Sequence, residues 1–204
     1  MAAASLLSYL ALGDSNTIGE SVSAGERWPV QLAALLRAAG ANVGDPLIVA
    51  KTGWTTDELS AALAVQRIPG TFDLVSLLIG VNNQYRGRSC AEYSQQLHAL
   101  LARAVAFADG RAARVIVLSI PDWGVTPFAE GRDRASIAAE IDEFNAVAQQ
   151  QTRHVGANWV DVTAASRSMR PGWVADDGLH PSGVQYAAWA ALALPVAKAA
   201  LEVN

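Results

Sequence analysis

A single cysteine, Cys90, stands in the 204 residues. No intramolecular disulfide can form, and no thiolate cage for a structural metal can be built. Histidine is almost as scarce. His98, His154 and His180 are far apart and none belongs to a ligand-spaced pair, so neither a metal nor another cofactor is expected. Basic residues are few as well, 15 Lys and Arg against 19 Asp and Glu, for a net charge of −4. That balance lacks the basic face that nucleic acid requires. No Lys or Arg precedes Arg27, so the apolar N-terminus has no basic segment of the kind a secretory signal carries. Cleavage behind it would also remove a strand. Ala2 to Leu12 is therefore read as strand, and the expectation is a cytoplasmic protein. Nor does any apolar stretch look able to span a bilayer, because the alanine-rich C-terminal run is broken by Pro195.

What is present is apolar and small. Hydrophobic residues make up 51% of the chain and charged ones only 17%. Much of the excess is alanine, which suits helices packed closely on a sheet. The length allows one domain with a sizeable core, and residues 1–204 are read as such. Apolar runs recur at Leu6–Leu12, Leu47–Ala50, Phe72–Ile79, Arg114–Ile120 and Asn158–Val162. Between them lie segments with helical spacing. Leu32, Leu35, Leu36 and Ala39 follow Pro29; Tyr93, Leu97, Leu100, Leu101 and Ala104 share one face; so do Ile137, Ile141, Phe144 and Ala148. Such alternation predicts an α/β fold, a three-layer α/β/α sandwich on a five-stranded parallel sheet.

Ligands in such sheets collect at the carboxyl ends of the strands. The first strand ends in Gly13-Asp14-Ser15-Asn16, which puts a serine hydroxyl there. Near the other end of the chain, Asp177-Gly178-Leu179-His180-Pro181 offers a carboxylate and an imidazole on one turn. A serine is a poor nucleophile until a base accepts its proton. A histidine serves as that base when a carboxylate holds its other nitrogen. These residues read as a hydrolytic triad of Ser15, His180 and Asp177. The plainer alternatives are that Ser15 caps a helix and that Asp176 replaces Asp177. Asp14 reads as a local turn residue.

The turns in this order resemble the SGNH or GDSL family of esterases and lipases, over almost the full chain. Gly13-Asp14-Ser15 matches the motif that carries the nucleophile, and Asp177 with His180 the motif that carries acid and base. Gly53 matches the glycine whose N–H serves the oxyanion hole. Gly80-Val81-Asn82-Asn83 matches the Gly-x-Asn-Asp motif, which gives Asn82 the second oxyanion donor and leaves Asn83 where Asp is usual. With the Ser15 N–H, three donors would face a tetrahedral intermediate; each is worth roughly 3 kcal/mol. The resemblance implies a serine esterase that works through an acyl-enzyme, without a cofactor, on a small ester. It does not choose among short acyl esters, thioesters, lysophospholipids and sugar acetates. A flavodoxin-like binding module and a catalytically silent relative are the readings from other classes. Trp54, Tyr85, Trp123, Phe128 and Trp173 fall near the strand ends, where aromatics line a substrate pocket or cover the core. Arg86 and Arg88 are read as solvated. Oligomeric state is not legible.

Overall fold

The computed structural model describes residues 5–168 and 170–202; the predicted strand residues Ala2 to Ala4 lie outside them. Five strands form one parallel sheet in the order β2-β1-β3-β4-β5. They are β1 (Tyr9–Gly13), β2 (Leu47–Ala50), β3 (Leu74–Leu78), β4 (Val115–Leu118) and β5 (Asn158–Val160). Each is shorter than its apolar run or equal to it. β5 stops early because Asp161 turns its carboxylate onto the backbone N–H of Thr163 at 2.8 Å.

Side chains alternate between the two faces, and both faces are apolar, which is why the central runs are continuous. From β1, Leu10 and Leu12 point into one core layer with Val75 and Leu77 of β3. Three helices cover that side: α3 (Thr56–Val65), α5 (Cys90–Phe107) and α6 (Arg134–His154). Tyr9, Ala11, Leu74 and Leu78 point the other way, against α2 (Trp28–Ala38) and α8 (Gly183–Ala200). Short helices α1 (Ser15–Ile18), α4 (Val81–Tyr85) and α7 (Thr163–Arg167) follow β1, β3 and β5 directly.

Pro195 does not break the last helix as expected. α8 runs through it, because Tyr186, Trp189, Ala190, Ala193 and Ala197 are fully buried and hold the helix on the sheet. Among the described residues, no helix is long and apolar enough to cross a membrane.

The strand order reverses beside β1, with β2 on one side and β3 on the other. A crevice opens outside the carboxyl ends at such a point. Gly13 closes β1 there, and only glycine fits. A Cβ on it would stand 2.4 Å from the Leu78 carbonyl oxygen and 2.2 Å from Thr17 Oγ1. The chain therefore turns out of β1 tight against β3 and delivers Ser15 into the crevice.

Candidate active site

Asp14, not Ser15, is the cap of α1. Its Oδ1 accepts the backbone N–H of Asn16 at 2.9 Å and the Asn16 side-chain amide at 3.3 Å. The plain reading of Ser15 as a cap is thereby removed, and Ser15 becomes the first helical residue. A phosphate loop at this turn is also disfavoured, because a carboxylate already takes the backbone donor. Asp14 is fully buried, and among the described residues its Oδ2 has no partner. Burial pushes its carboxyl up to about 7 against the pull of the Asn16 hydrogen bonds.

The turn at the other end of the chain is built around Asp177. Its Oδ1 accepts the backbone N–H groups of Leu179 and His180, both at 2.9 Å. Its Oδ2 accepts His180 Nδ1 at 2.6 Å. Gly178, at φ 73°, makes the turn possible, and the Gly178 carbonyl accepts the N–H of Phe128 at 3.0 Å. Partial burial pushes Asp177 up. Hydrogen bonds from Ser21, the His180 ring and the two backbone donors outweigh it and hold the carboxyl well below the usual range. Asp176 is exposed and makes no hydrogen bond among the described residues.

These two turns meet. Ser15 and His180 line one cavity of about 170 Å³ with Asn16, Val81, Asn82, Tyr85, Trp123, Phe128 and Leu179. Among the described residues, no hydrogen bond uses the Ser15 hydroxyl, which leaves it open to the cavity. Asn82, in the first turn of α4, donates its Nδ2 to the Trp54 carbonyl at 2.9 Å. That bond uses one amide hydrogen and leaves the other.

Residues 11–188 match the model of the GDSL-like lipase/acylhydrolase family. The chain belongs to that family. It is a serine hydrolase of the GDSL type acting on esters. No curated protein matches it in sequence. Solved structures that share its fold include the lipase/acylhydrolase from Enterococcus faecalis, at 21% identity and a TM-score of 0.72, with 98% of each chain covered. An acetylxylan esterase from Geobacillus stearothermophilus is similar at 20% identity and a TM-score of 0.71, covering 100% of this chain and 98% of its own. The structure titled TesA matches at 20% identity and a TM-score of 0.71, covering 95% of this chain and 99% of its own.

Where this GDSL chain departs from the usual motif, the structure gives a reason. Asn83 is fully buried, and its Oδ1 accepts the N–H of Thr56 at 3.1 Å while its Nδ2 donates to Thr56 Oγ1 at 2.7 Å. An amide both accepts and donates; a carboxylate could only accept. Asn83 thus ties α4 to the start of α3.

Gly53 and Trp54 do not line the cavity. Gly53 sits at φ 85° on the turn after β2, and its carbonyl accepts Arg86 Nη2 at 2.6 Å. Its N–H makes no hydrogen bond among the described residues. The Trp54 side chain packs, partly buried, on the core under α3 and α5, and only its carbonyl serves the site, through Asn82. Tyr85 and Trp123 do form cavity wall, and Phe128 with them. Ring centroids of Tyr85 and Trp123 are 5.4 Å apart, and those of Trp123 and Phe128 6.0 Å. Trp123 is fixed by donating its indole N–H to Gln84 Oε1 at 2.8 Å. Arg132 lies over all three rings, its guanidinium carbon 5.0 Å from the Phe128 centroid. Arg86 and Arg88 are held by Glu58, Asp57 and Glu92 and so do not reach for substrate. Trp173 stands apart from the cavity, beneath Arg170.

Residue patterns did not point to Asn16, Val81 or Leu179 as wall, nor to Arg132 behind it, whereas Phe128 was among the strand-end aromatics read as pocket wall or core cover. Asn16 and Leu179 adjoin motif residues and were open to that inference. Phe128 and Arg132 come from the long loop after β4, whose return to the site no local pattern encodes.

Proposed function

We propose that the protein hydrolyses carboxylic esters with short acyl groups through a covalent acyl-enzyme on Ser15. Ser15 Oγ attacks the ester carbonyl carbon as His180 Nε2 takes the hydroxyl proton. Asp177 holds the ring by Nδ1–H and stabilises the imidazolium formed. The oxyanion is held by the backbone N–H of Ser15 and the free amide hydrogen of Asn82, whose residues line the cavity; the N–H of Gly53, which does not line it, is the third donor that the family motif implies. His180 returns its proton to the leaving alcohol. It then takes one from water, which attacks the acyl carbon, and the acid departs as Ser15 regains its hydrogen.

The observation that supports this most is the 2.6 Å contact between His180 Nδ1 and Asp177 Oδ2, on a turn whose imidazole shares one cavity with Ser15. The Nδ1 contact leaves Nε2 as the nitrogen available to a substrate hydroxyl or to Ser15. A short acyl chain follows from volume. A water molecule occupies roughly 30 Å³ in the liquid, so a cavity of about 170 Å³ walled by Tyr85, Trp123 and Phe128 has room for an acetyl or butyryl group and little for an octanoyl chain.

The test is a series of p-nitrophenyl esters. kcat/KM for acetate and butyrate is expected to exceed that for octanoate at least tenfold. Equal or better turnover of octanoate would overturn the short-acyl reading, and no turnover of any ester would overturn the esterase mechanism.

A further inference from the structure

Ser21 adopts φ 64°, a left-handed conformation that only Ser21, Asp109 and Glu202 share among the described non-glycine residues. Such a backbone is strained for a serine, and where it persists the surroundings hold it. Here the loop after α1 doubles back: Gly19 sits at φ 70°, and the N–H groups of Gly19 and Glu20 both donate to the Ser15 carbonyl at 3.0 Å. The consequence is two side-chain contacts from neighbouring residues to distant turns. Glu20 accepts the hydroxyl of Thr52, the residue before Gly53. Ser21 Oγ–H donates to Asp177 Oδ2 at 2.7 Å, across 156 residues of sequence.

That Oδ2 is the same oxygen that accepts His180 Nδ1. Asp177 Oδ1 is occupied by backbone donors, so Ser21 supplies the only other side-chain hydrogen bond to the carboxylate among the described residues. We propose that Ser21 is a positioning residue of this hydrolase: its hydroxyl, aimed by the left-handed backbone, fixes the Asp177 carboxylate against the His180 ring and couples the serine loop to the acid–base turn. The proposal rests on the triad reading above. Glycine would adopt this backbone more easily but has no hydroxyl to aim.

The charged and titratable groups around this corner are few. Glu20 comes from the same loop, and Glu26 reaches the start of α8, within 2.6 Å of a Cβ built on Gly183. Asp14, Asp177 and Glu20 all act on the buried Tyr186 of α8. The cation among them is Arg27, whose side chain packs on Gly19 of the loop; the others are carboxyl groups apart from that tyrosine, and among the described residues none but Asp177 bonds the imidazole.

The experiment compares Ser21→Gly, Ser21→Ala and Ser21→Asn with wild type in p-nitrophenyl acetate hydrolysis across pH, beside Ser15→Ala. Ser21→Gly suits the backbone and is expected to melt no lower than wild type. Its kcat is expected to fall roughly three- to tenfold with KM little changed. Without the serine donor, Oδ2 gives more of its charge to Nδ1–H, so the acid limb of kcat/KM is expected to move up by about half a pH unit. Ser21→Ala is expected to behave likewise. Ser21→Asn tolerates the left-handed backbone and carries an N–H donor, and is expected to recover part of the lost kcat. Unchanged kcat in Ser21→Gly, or a loss confined to KM with the pH profile unmoved, would overturn the proposal while Ser15→Ala stays inactive. Retained activity in Ser15→Ala would instead fell the triad reading itself, and the two failures are told apart by that variant.

Discussion

Ser15→Ala is expected to lower kcat for p-nitrophenyl acetate at least roughly ten-thousand-fold, with circular dichroism and melting temperature unchanged. The fold should not notice the change. Ser15 is 5% exposed at the first position of α1, and its hydroxyl bonds nothing among the described residues. The helix is capped one residue earlier by Asp14, and alanine is a better helix former than serine. What disappears is the atom that bonds to the acyl carbon. His180→Ala should cost about as much, since an unactivated hydroxyl is nearly as inert as none. The double variant should be little worse than either single one, because residues that act as a unit lose their function once. The remaining rate would come from Asn82 and the Ser15 N–H, which still polarise a bound carbonyl. Additive losses in the double variant would contradict a shared role.

The second large effect lies in stability. Asp14 has an ordinary carboxyl value of 3.8 and is pushed up to about 7 by burial in the folded chain. Between those values the folded state holds a proton that the unfolded state has released. Stability from this group is therefore full below about pH 4 and is lost as pH rises through about 7. Each unit of difference is worth about 1.4 kcal/mol, so the loss is on the order of 4 kcal/mol. Asp177 runs the opposite way. Its carboxyl is held low, so its contribution is present above the usual carboxylate range and is lost only in stronger acid. Asp14→Asn cannot ionise and should flatten the slope above pH 4. In urea unfolding it is expected to match wild type near pH 4 and to exceed it near pH 8. The free Oδ2 of Asp14 makes this readable, because no partner is broken there. Parallel stability curves for the two proteins would show that Asp14 is not the titrating group.

The sheet was legible because its cause is local. Leu10 and Leu12 fill one layer and Tyr9 and Ala11 the other, so burial on both faces demands an unbroken apolar run. Ser15, Asp177, His180 and Asn82 were legible because each sits in a short turn whose wording is contiguous. The remaining features depend on partners far along the chain. Phe128 reaches the cavity because its N–H is held by the Gly178 carbonyl, and Ser21 meets Asp177 across 156 residues. Trp54, like the other strand-end aromatics, had two apolar destinations open to it, pocket wall or core, and this one took the core. Pro195 looked like a break because proline removes a helical donor, yet tertiary burial around it outweighs one lost hydrogen bond.

The most direct measurement is intact-protein and peptide mass spectrometry after treatment with a fluorophosphonate, which bonds only to an activated hydroxyl. One adduct per chain is expected, on the peptide that contains Ser15, with none in Ser15→Ala and a severely slowed reaction in His180→Ala. An active wild-type enzyme that takes no adduct, or carries it on another residue, would contradict Ser15 as the nucleophile.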